Sequence, residues 1–86
     1  MDIKKSRKEI DKIDKNIIQL LNKRSNLVND ILKYKGGKNM PLFDKKRENQ
    51  ILKDSLKQAR KLKLSPNLVL DIFKRILKES HRIKKY

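Results

Sequence analysis

One arginine interrupts a regular series of apolar residues in the first half of the chain. In steps of three and four residues, the apolar positions are Ile10, Ile13, Ile17, Leu20, Leu27, Ile31 and Tyr34. Arg24 occupies the step between Leu20 and Leu27, and one step back from Ile10 reaches Arg7. A guanidinium among aliphatic side chains is costly unless an anion pairs with it. That anion is either an internal carboxylate such as Asp14 or a ligand from outside, and the series alone does not separate the two.

Further polar residues accompany Arg24 and are candidates for the same site. They are Lys35, Asp44, Arg47, Glu48, Ser80 and Lys84. Guanidinium binds a carboxylate through two parallel hydrogen bonds, and ammonium acts as a movable point charge. The set therefore suggests a pocket for a small dicarboxylate. Each residue alone is a weak signal, because Asp44 and Glu48 also suit a helix start and Ser80 can bond back to its own helix.

Three helices are predicted to carry these residues. Residues 3 to 35 contain no Gly or Pro, and Gly36-Gly37 predicts a helix end, so helix 1 has about 32 residues and is about 48 Å long. Asp44 is the expected N-cap of helix 2, which extends from Lys45 to Leu62. Ser65-Pro66 predicts the start of helix 3, which extends to about Lys84. No alternation of period two is present, so we expect an all-α fold with one domain over residues 1–86.

The apolar residues of the two shorter helices define their predicted inner faces. In helix 2 these are Ile51, Leu52, Leu56, Ala59 and Leu62, and in helix 3 they are Val69, Ile72, Phe73, Ile76, Leu77 and Ile83.

The length of helix 1 predicts a dimer. A compact domain of this size is roughly 30 Å across, which is shorter than helix 1 by about a third. The apolar series reaches both ends of the helix, so a second copy is the simplest cover, with helix 1 paired antiparallel to its mate. The alternative is an elongated monomer. Arg7 and Arg24 are about 25 Å apart along one helix, so one small ligand can meet both only if Arg7 comes from the partner chain.

Composition limits the classes of function. The chain has no Cys, which excludes disulfides and thiolate metal sites. It has no secretion signal and no span that could cross a membrane, so we expect a cytoplasmic protein without membrane contact. The 25 basic and 10 acidic residues give a net charge of +15, which would attract nucleic acid weakly. Aromatic residues for base stacking are scarce, so we expect no specific nucleic-acid binding.

The chain resembles the all-helical (type II, bacterial) chorismate mutases over nearly its full length. The matching residues are Arg7, Ile10, Ile13-Asp14, Ile17-Ile18, Leu20-Leu21, Arg24, Lys35, Pro41, Asp44, Arg47-Glu48, Ile72-Phe73 and Ser80. The resemblance implies an intertwined antiparallel homodimer with two buried sites. It also implies the pericyclic rearrangement of chorismate to prephenate in the biosynthesis of Phe and Tyr. That reaction needs positioning and electrostatics rather than a covalent intermediate, so neither cofactor nor metal is expected.

The same resemblance implies a role for each site residue. Arg24 and Arg7 of the partner chain would each bind a carboxylate, and Lys35 would contact the ether oxygen. Glu48 and the backbone near Asp44 would take the ring hydroxyl. Arg47 would support the site, and Ser80 would assist a carboxylate.

Three rival functions remain open at the level of sequence. Isochorismate pyruvate-lyases have a similar fold and a similar cationic pocket. A basic helical nucleic-acid-binding protein and a non-catalytic interaction module are the others. No regulatory domain is visible, so we expect no allosteric control by an aromatic amino acid within this polypeptide.

Lys84 departs from the family pattern, which usually has Gln as the second donor to the ether oxygen. A second ammonium beside Lys35 would make both groups harder to protonate, whereas the amide of Gln donates without that cost. We predict that Lys84→Gln preserves or raises kcat in a chorismate-consumption assay. A large loss of kcat would instead show that the Lys84 charge is required.

Overall fold

The computed structural model describes residues 1–38 and 40–82. These residues form three α-helices and no strand: α1 (Ile3–Gly37), α2 (Lys45–Lys61) and α3 (Pro66–Arg82). The all-helical prediction is therefore confirmed, with one long and two shorter helices. The predicted end of helix 3, with Ile83 and Lys84, lies outside the described residues. No helix in the described part of the chain is long and apolar enough to cross a membrane.

Helix α1 is longer than predicted because it continues through both glycines. It has 35 residues, and neither Gly36 nor Gly37 has a positive φ. The predicted stop was thus wrong: glycine favours a helix end only where it adopts the left-handed conformation, and here both stay helical. The amide of Lys38 instead donates to the carbonyls of Tyr34 and Lys35, at 3.2 and 3.1 Å.

The predicted starts of α2 and α3 are confirmed by their capping bonds. The Asp44 carboxylate accepts from the Arg47 amide at 3.1 Å. The Ser65 hydroxyl accepts from the Leu68 amide at 3.3 Å. Each bond satisfies an amide that has no partner within its helix, so both helices begin at fixed residues.

Helices α2 and α3 pack against each other as a hairpin. Ala59 of α2 and Leu77 of α3 are buried, with 1% and 8% of their surface exposed. Buried Ser55 was not expected on the inner face of α2, but its hydroxyl donates to the Ile51 carbonyl at 2.7 Å. That bond removes the cost of burying the polar group.

Two predicted inner residues of the hairpin are exposed in the single chain. Leu62 is 64% exposed and Ile72 is 47% exposed. Leu62 is the C-cap residue of α2, so it lies beyond the last turn that packs on α3. Ile72 lines an apolar cavity that also includes Ile17 and Leu20 of α1.

Helix α1 carries an apolar face that its own chain does not cover. The molecule measures 56 × 25 × 16 Å with a radius of gyration of 16.1 Å, whereas a compact domain of this length has about 12 Å. Leu32 is the one buried residue of α1. The seam residues Ile10, Ile13, Ile17 and Leu20 are 54%, 55%, 50% and 64% exposed. The expected mismatch between helix length and domain size is therefore present.

A lysine ends α2 in a conformation that favours glycine. Lys63 has a φ of 57°. Its amide donates to the Arg60 carbonyl at 3.2 Å, and the Leu64 amide donates to the Ala59 carbonyl at 2.9 Å. This pair of bonds is the Schellman motif, in which the left-handed position is usually glycine because a Cβ is strained there.

We predict that Lys63→Gly stabilises the protein by about 0.5 to 1 kcal/mol, since relief of the strained backbone exceeds the entropy cost of glycine. Urea denaturation at one fixed protein concentration measures the change. Lys61→Gly is the matched control inside the last turn of α2, where glycine should destabilise by about 1 kcal/mol. Equal or lower stability of Lys63→Gly would contradict the prediction.

Candidate active site

Arg24 of α1 and Ser80 of α3 form the polar contact that joins the long helix to the hairpin. Arg24 Nη1 donates to Ser80 Oγ at 3.1 Å, and Ser80 Oγ donates to the Ile76 carbonyl at 3.0 Å. Ser80 is 9% exposed. The serine thus uses its hydroxyl twice, once toward its own helix and once toward the guanidinium.

Arg24 forms no ion pair with any carboxylate among the described residues. Asp14, the internal partner considered from the sequence, is exposed. Burial, and to a smaller extent the positive charge of Arg47, lower the pKa of Arg24 below its ordinary value. The guanidinium still stays protonated at physiological pH. It is therefore a part-buried cation whose only described partner is a neutral hydroxyl, which is the arrangement expected of an anion site.

A cavity of about 270 Å³ collects six of the eight predicted site residues. They are Arg24, Lys35, Asp44, Arg47, Glu48 and Ser80. Apolar side chains, among them Val28, Phe43 and Leu77, line the remainder. The volume lies just below the range of roughly 300 to 1,000 Å³ that is usual for small-molecule sites.

The three helices position these groups through ordinary helix geometry. Arg24 and Lys35 are eleven residues apart on α1, which is close to three full turns, so both face the same side. Asp44, Arg47 and Glu48 occupy the N-cap and first turn of α2. Ser80 reaches the cavity from the last turn of α3. The site therefore lies where the second half of α1 meets one end of the α2–α3 hairpin.

The cavity carries more unpaired positive than negative charge. Its two carboxylates are both engaged: Asp44 accepts from the Arg47 amide, and Glu48 Oε2 lies 2.7 Å from His81 Nε2. The Arg47 side chain donates to Gln50 at 3.3 Å. In the described part of the chain, neither Lys35 nor Arg24 forms an ion pair. Such a pocket favours an anionic ligand.

The contact between Glu48 and His81 was not predicted from the sequence. The ring of His81 also stacks on Phe43, with centroids 4.0 Å apart and planes inclined by 13°. These three residues come from α2, α3 and the segment between α1 and α2. Glu48 and His81 are 33 positions apart, and nothing in the local pattern links them, so the sequence offered no signal.

A second cavity of about 580 Å³ lies on the other side of the Arg24–Ser80 pair. It includes Glu79, which pairs with Arg75 at 2.9 Å and with Arg82 at 3.3 Å. The cations of this second cavity are thus already balanced in part by a carboxylate. Arg24 and Ser80 line both cavities. The smaller cavity is the better anion site because it adds Lys35, which forms no ion pair in the described part of the chain.

The family model described as chorismate mutase type II matches residues 6–85. The chain belongs to this family. Its members are isomerases that convert chorismate to prephenate. The match confirms the resemblance that the sequence suggested, and it spans all three helices.

Individual relatives of this chorismate mutase domain are bifunctional enzymes or T-proteins. A bifunctional chorismate mutase/prephenate dehydratase of Buchnera aphidicola is 39% identical over 79 residues, or 92% of this chain and 20% of the relative. T-proteins of Enterobacter agglomerans and Haemophilus influenzae are 33% and 34% identical, over 87% and 92% of the chain. The chain thus spans about a fifth of the length of these relatives. No solved structure has a significant match.

Two further residues were predicted to belong to the site, Arg7 and Lys84. Arg7 lies in the exposed first part of α1 and does not line the cavity of the single chain. Lys84 lies outside the described residues, so its predicted place in the site stays a prediction. In the single chain Asp44 and Arg47 are exposed, while Arg24, Lys35 and Glu48 are half-buried. The cavity is therefore open on one side in one chain.

Proposed function

We propose that this chain catalyses the rearrangement of chorismate to prephenate, the branch of aromatic amino acid biosynthesis that leads to Phe and Tyr. The observation that carries the proposal is the half-buried Arg24, which has no carboxylate partner among the described residues and shares a cavity with Lys35 and Glu48. A dianionic substrate supplies the missing negative charge. Membership in the type II family supports the same conclusion.

The reaction moves electrons around a six-membered ring of atoms, so the protein needs to supply position and charge. Arg24 binds one substrate carboxylate, and Ser80 assists by holding the guanidinium. Lys35 donates to the ether oxygen as its bond breaks and negative charge grows there, and it also contacts a carboxylate. Such preorganised donors lower the barrier because they need no rearrangement in the transition state. Lys84 is the expected second donor to this oxygen.

The opposite end of the substrate carries a ring hydroxyl, for which the start of α2 provides the partners. Glu48 accepts a hydrogen bond from this hydroxyl, and the backbone near Asp44 also contacts it. Arg47 lies beside them and favours the bound anion through its charge. Fixing both ends holds the substrate in the folded conformation from which the bond can form.

The site is completed in this proposal by a second copy of the chain. The exposed seam of α1 gives the copies an apolar face to share, and pairing the two α1 helices antiparallel brings Arg7 of one chain toward the Arg24–Lys35 stretch of its mate. Arg7 then binds the second carboxylate. An intertwined homodimer with two equivalent sites follows from the two-fold symmetry.

The proposal covers the mutase reaction alone, because the chain aligns with about a fifth of the length of these relatives. A cytoplasmic location, as expected from the sequence, is part of the same proposal.

We predict that Arg24→Ala lowers kcat/KM for chorismate by about a thousandfold, in line with loss of one essential charged donor. Chorismate consumption and prephenate formation are measured spectroscopically. Lys23→Ala, an exposed neighbour on α1, is the matched control and should retain parent activity.

The parent protein is assayed in parallel with isochorismate, since pyruvate-lyase activity would yield salicylate. Turnover of isochorismate without turnover of chorismate would replace the proposed reaction by the lyase reaction. Unchanged chorismate turnover in Arg24→Ala would remove the proposed site.

A further inference from the structure

The Glu48 side chain is hydrogen-bonded to a histidine rather than to the cations of the cavity that it lines. His81 Nε2 lies 2.7 Å from Glu48 Oε2, and His81 is not part of the cavity lining. We propose that His81 is a positioning residue that fixes the Glu48 carboxylate for substrate binding. The inference rests on the proposed function, since it assigns a support to a residue of that site.

The hydrogen bond determines which Glu48 oxygen is available to the substrate. An ionised carboxylate only accepts, so the proton must be on His81 Nε2. Oε2 is engaged by this bond, and Oε1 has no hydrogen-bond partner among the described residues. With 23% of its side chain exposed, Glu48 is restricted on one side and open toward the cavity on the other.

The bond to His81 also keeps Glu48 away from the cations that the substrate needs. Arg24, Lys35 and Arg47 line the same cavity as Glu48. A mobile carboxylate among three cations would pair with one of them and cancel its charge. Within residues 1–38 and 40–82, however, the side-chain hydrogen bond of Glu48 is with His81. The histidine thereby leaves the positive charge of the cavity to the substrate carboxylates.

Phe43 fixes the histidine in turn. Its ring stacks on the imidazole at a centroid distance of 4.0 Å, which restricts the plane in which Nε2 can donate. The contact is also favourable when the imidazole is protonated, because the aromatic face attracts a cation. Since Phe43 directly precedes Asp44, the stack ties the start of α2 to α3 beside the expected hydroxyl subsite.

Two substitutions test separately the hydrogen-bond donor and the aromatic ring of His81. His81→Phe keeps an aromatic ring against Phe43 but loses the donor, and His81→Gln keeps a donor but loses the ring. We expect His81→Phe to lower kcat/KM for chorismate about tenfold, mainly through KM, as for the loss of one hydrogen bond to a binding group. His81→Gln should stay within about threefold of the parent. Lys78→Gln, an exposed site on α3, is the control and should be unchanged.

A test in a second background distinguishes positioning from a general structural role. In Glu48→Ala, the additional change His81→Phe should have no further effect, because the side chain that His81 positions is absent. An equally large loss in both backgrounds would overturn the inference, as would a His81→Phe enzyme with parent KM and kcat.

The contact itself is measured without any activity. The chain has a single histidine, so the ring ¹⁵N and ¹H NMR signals of His81 are unambiguous. They should change in Glu48→Gln and stay the same in Lys78→Gln, and unchanged signals in Glu48→Gln would overturn the inference even if His81→Phe fails to fold. An inactive parent with the expected NMR change would refute the proposed function but not the contact.

Discussion

A half-buried guanidinium with no carboxylate partner in the described part of the chain is the feature on which the candidate site depends. Arg24 has lost part of its hydration, as the lowered pKa indicates, and the Ser80 hydroxyl that it contacts is neutral. Desolvating a charge in this way costs free energy that a protein seldom accepts without a compensating interaction. In the proposed function, the substrate carboxylates supply this compensation.

The remaining groups of the cavity also favour an anionic ligand. Lys35 and Arg47 add positive charge, and each nearby carboxylate is held by a partner other than a cavity cation: Asp44 by a backbone amide and Glu48 by His81. Under the proposed function, this separation of charges lets a pocket with two carboxylates still bind a dianion. It also explains how a chain with no Cys and one His can belong to an enzyme family, since the family's reaction requires placement and electrostatics rather than a nucleophile.

The sequence predicted the three helices because their signals are local. The side-chain oxygens of Asp44 and Ser65 each accept a hydrogen bond from the backbone amide three residues later, which caps the helix. The end of α1 was misjudged because glycine permits a left-handed residue without requiring it. Conversely, the sequence did not predict the left-handed backbone conformation of Lys63, because lysine rarely adopts it.

The site could be predicted only as far as the spacing on each helix and the family pattern allowed. The three-turn separation of Arg24 and Lys35 places both on one face, and the resemblance supplied the residues of α2 and α3. Whether Arg24 pairs with Asp14 depended on tertiary structure, as did the contact of His81 with Glu48 and Phe43. These contacts join distant parts of the chain, and single-sequence periodicity carries no information about them.

The central claim is that Arg24 of one chain and Arg7 of another bind the same substrate. It is tested most directly by mixing Arg7→Ala chains with Arg24→Ala chains after joint unfolding and refolding. Each homodimer lacks one arginine in both sites, whereas a mixed dimer has one intact site and one site with neither arginine. With random pairing at equal amounts, we predict recovery of about a quarter of the parent activity per chain. No recovery in a mixture that forms mixed dimers, or activity from a monomeric species, would contradict the shared site.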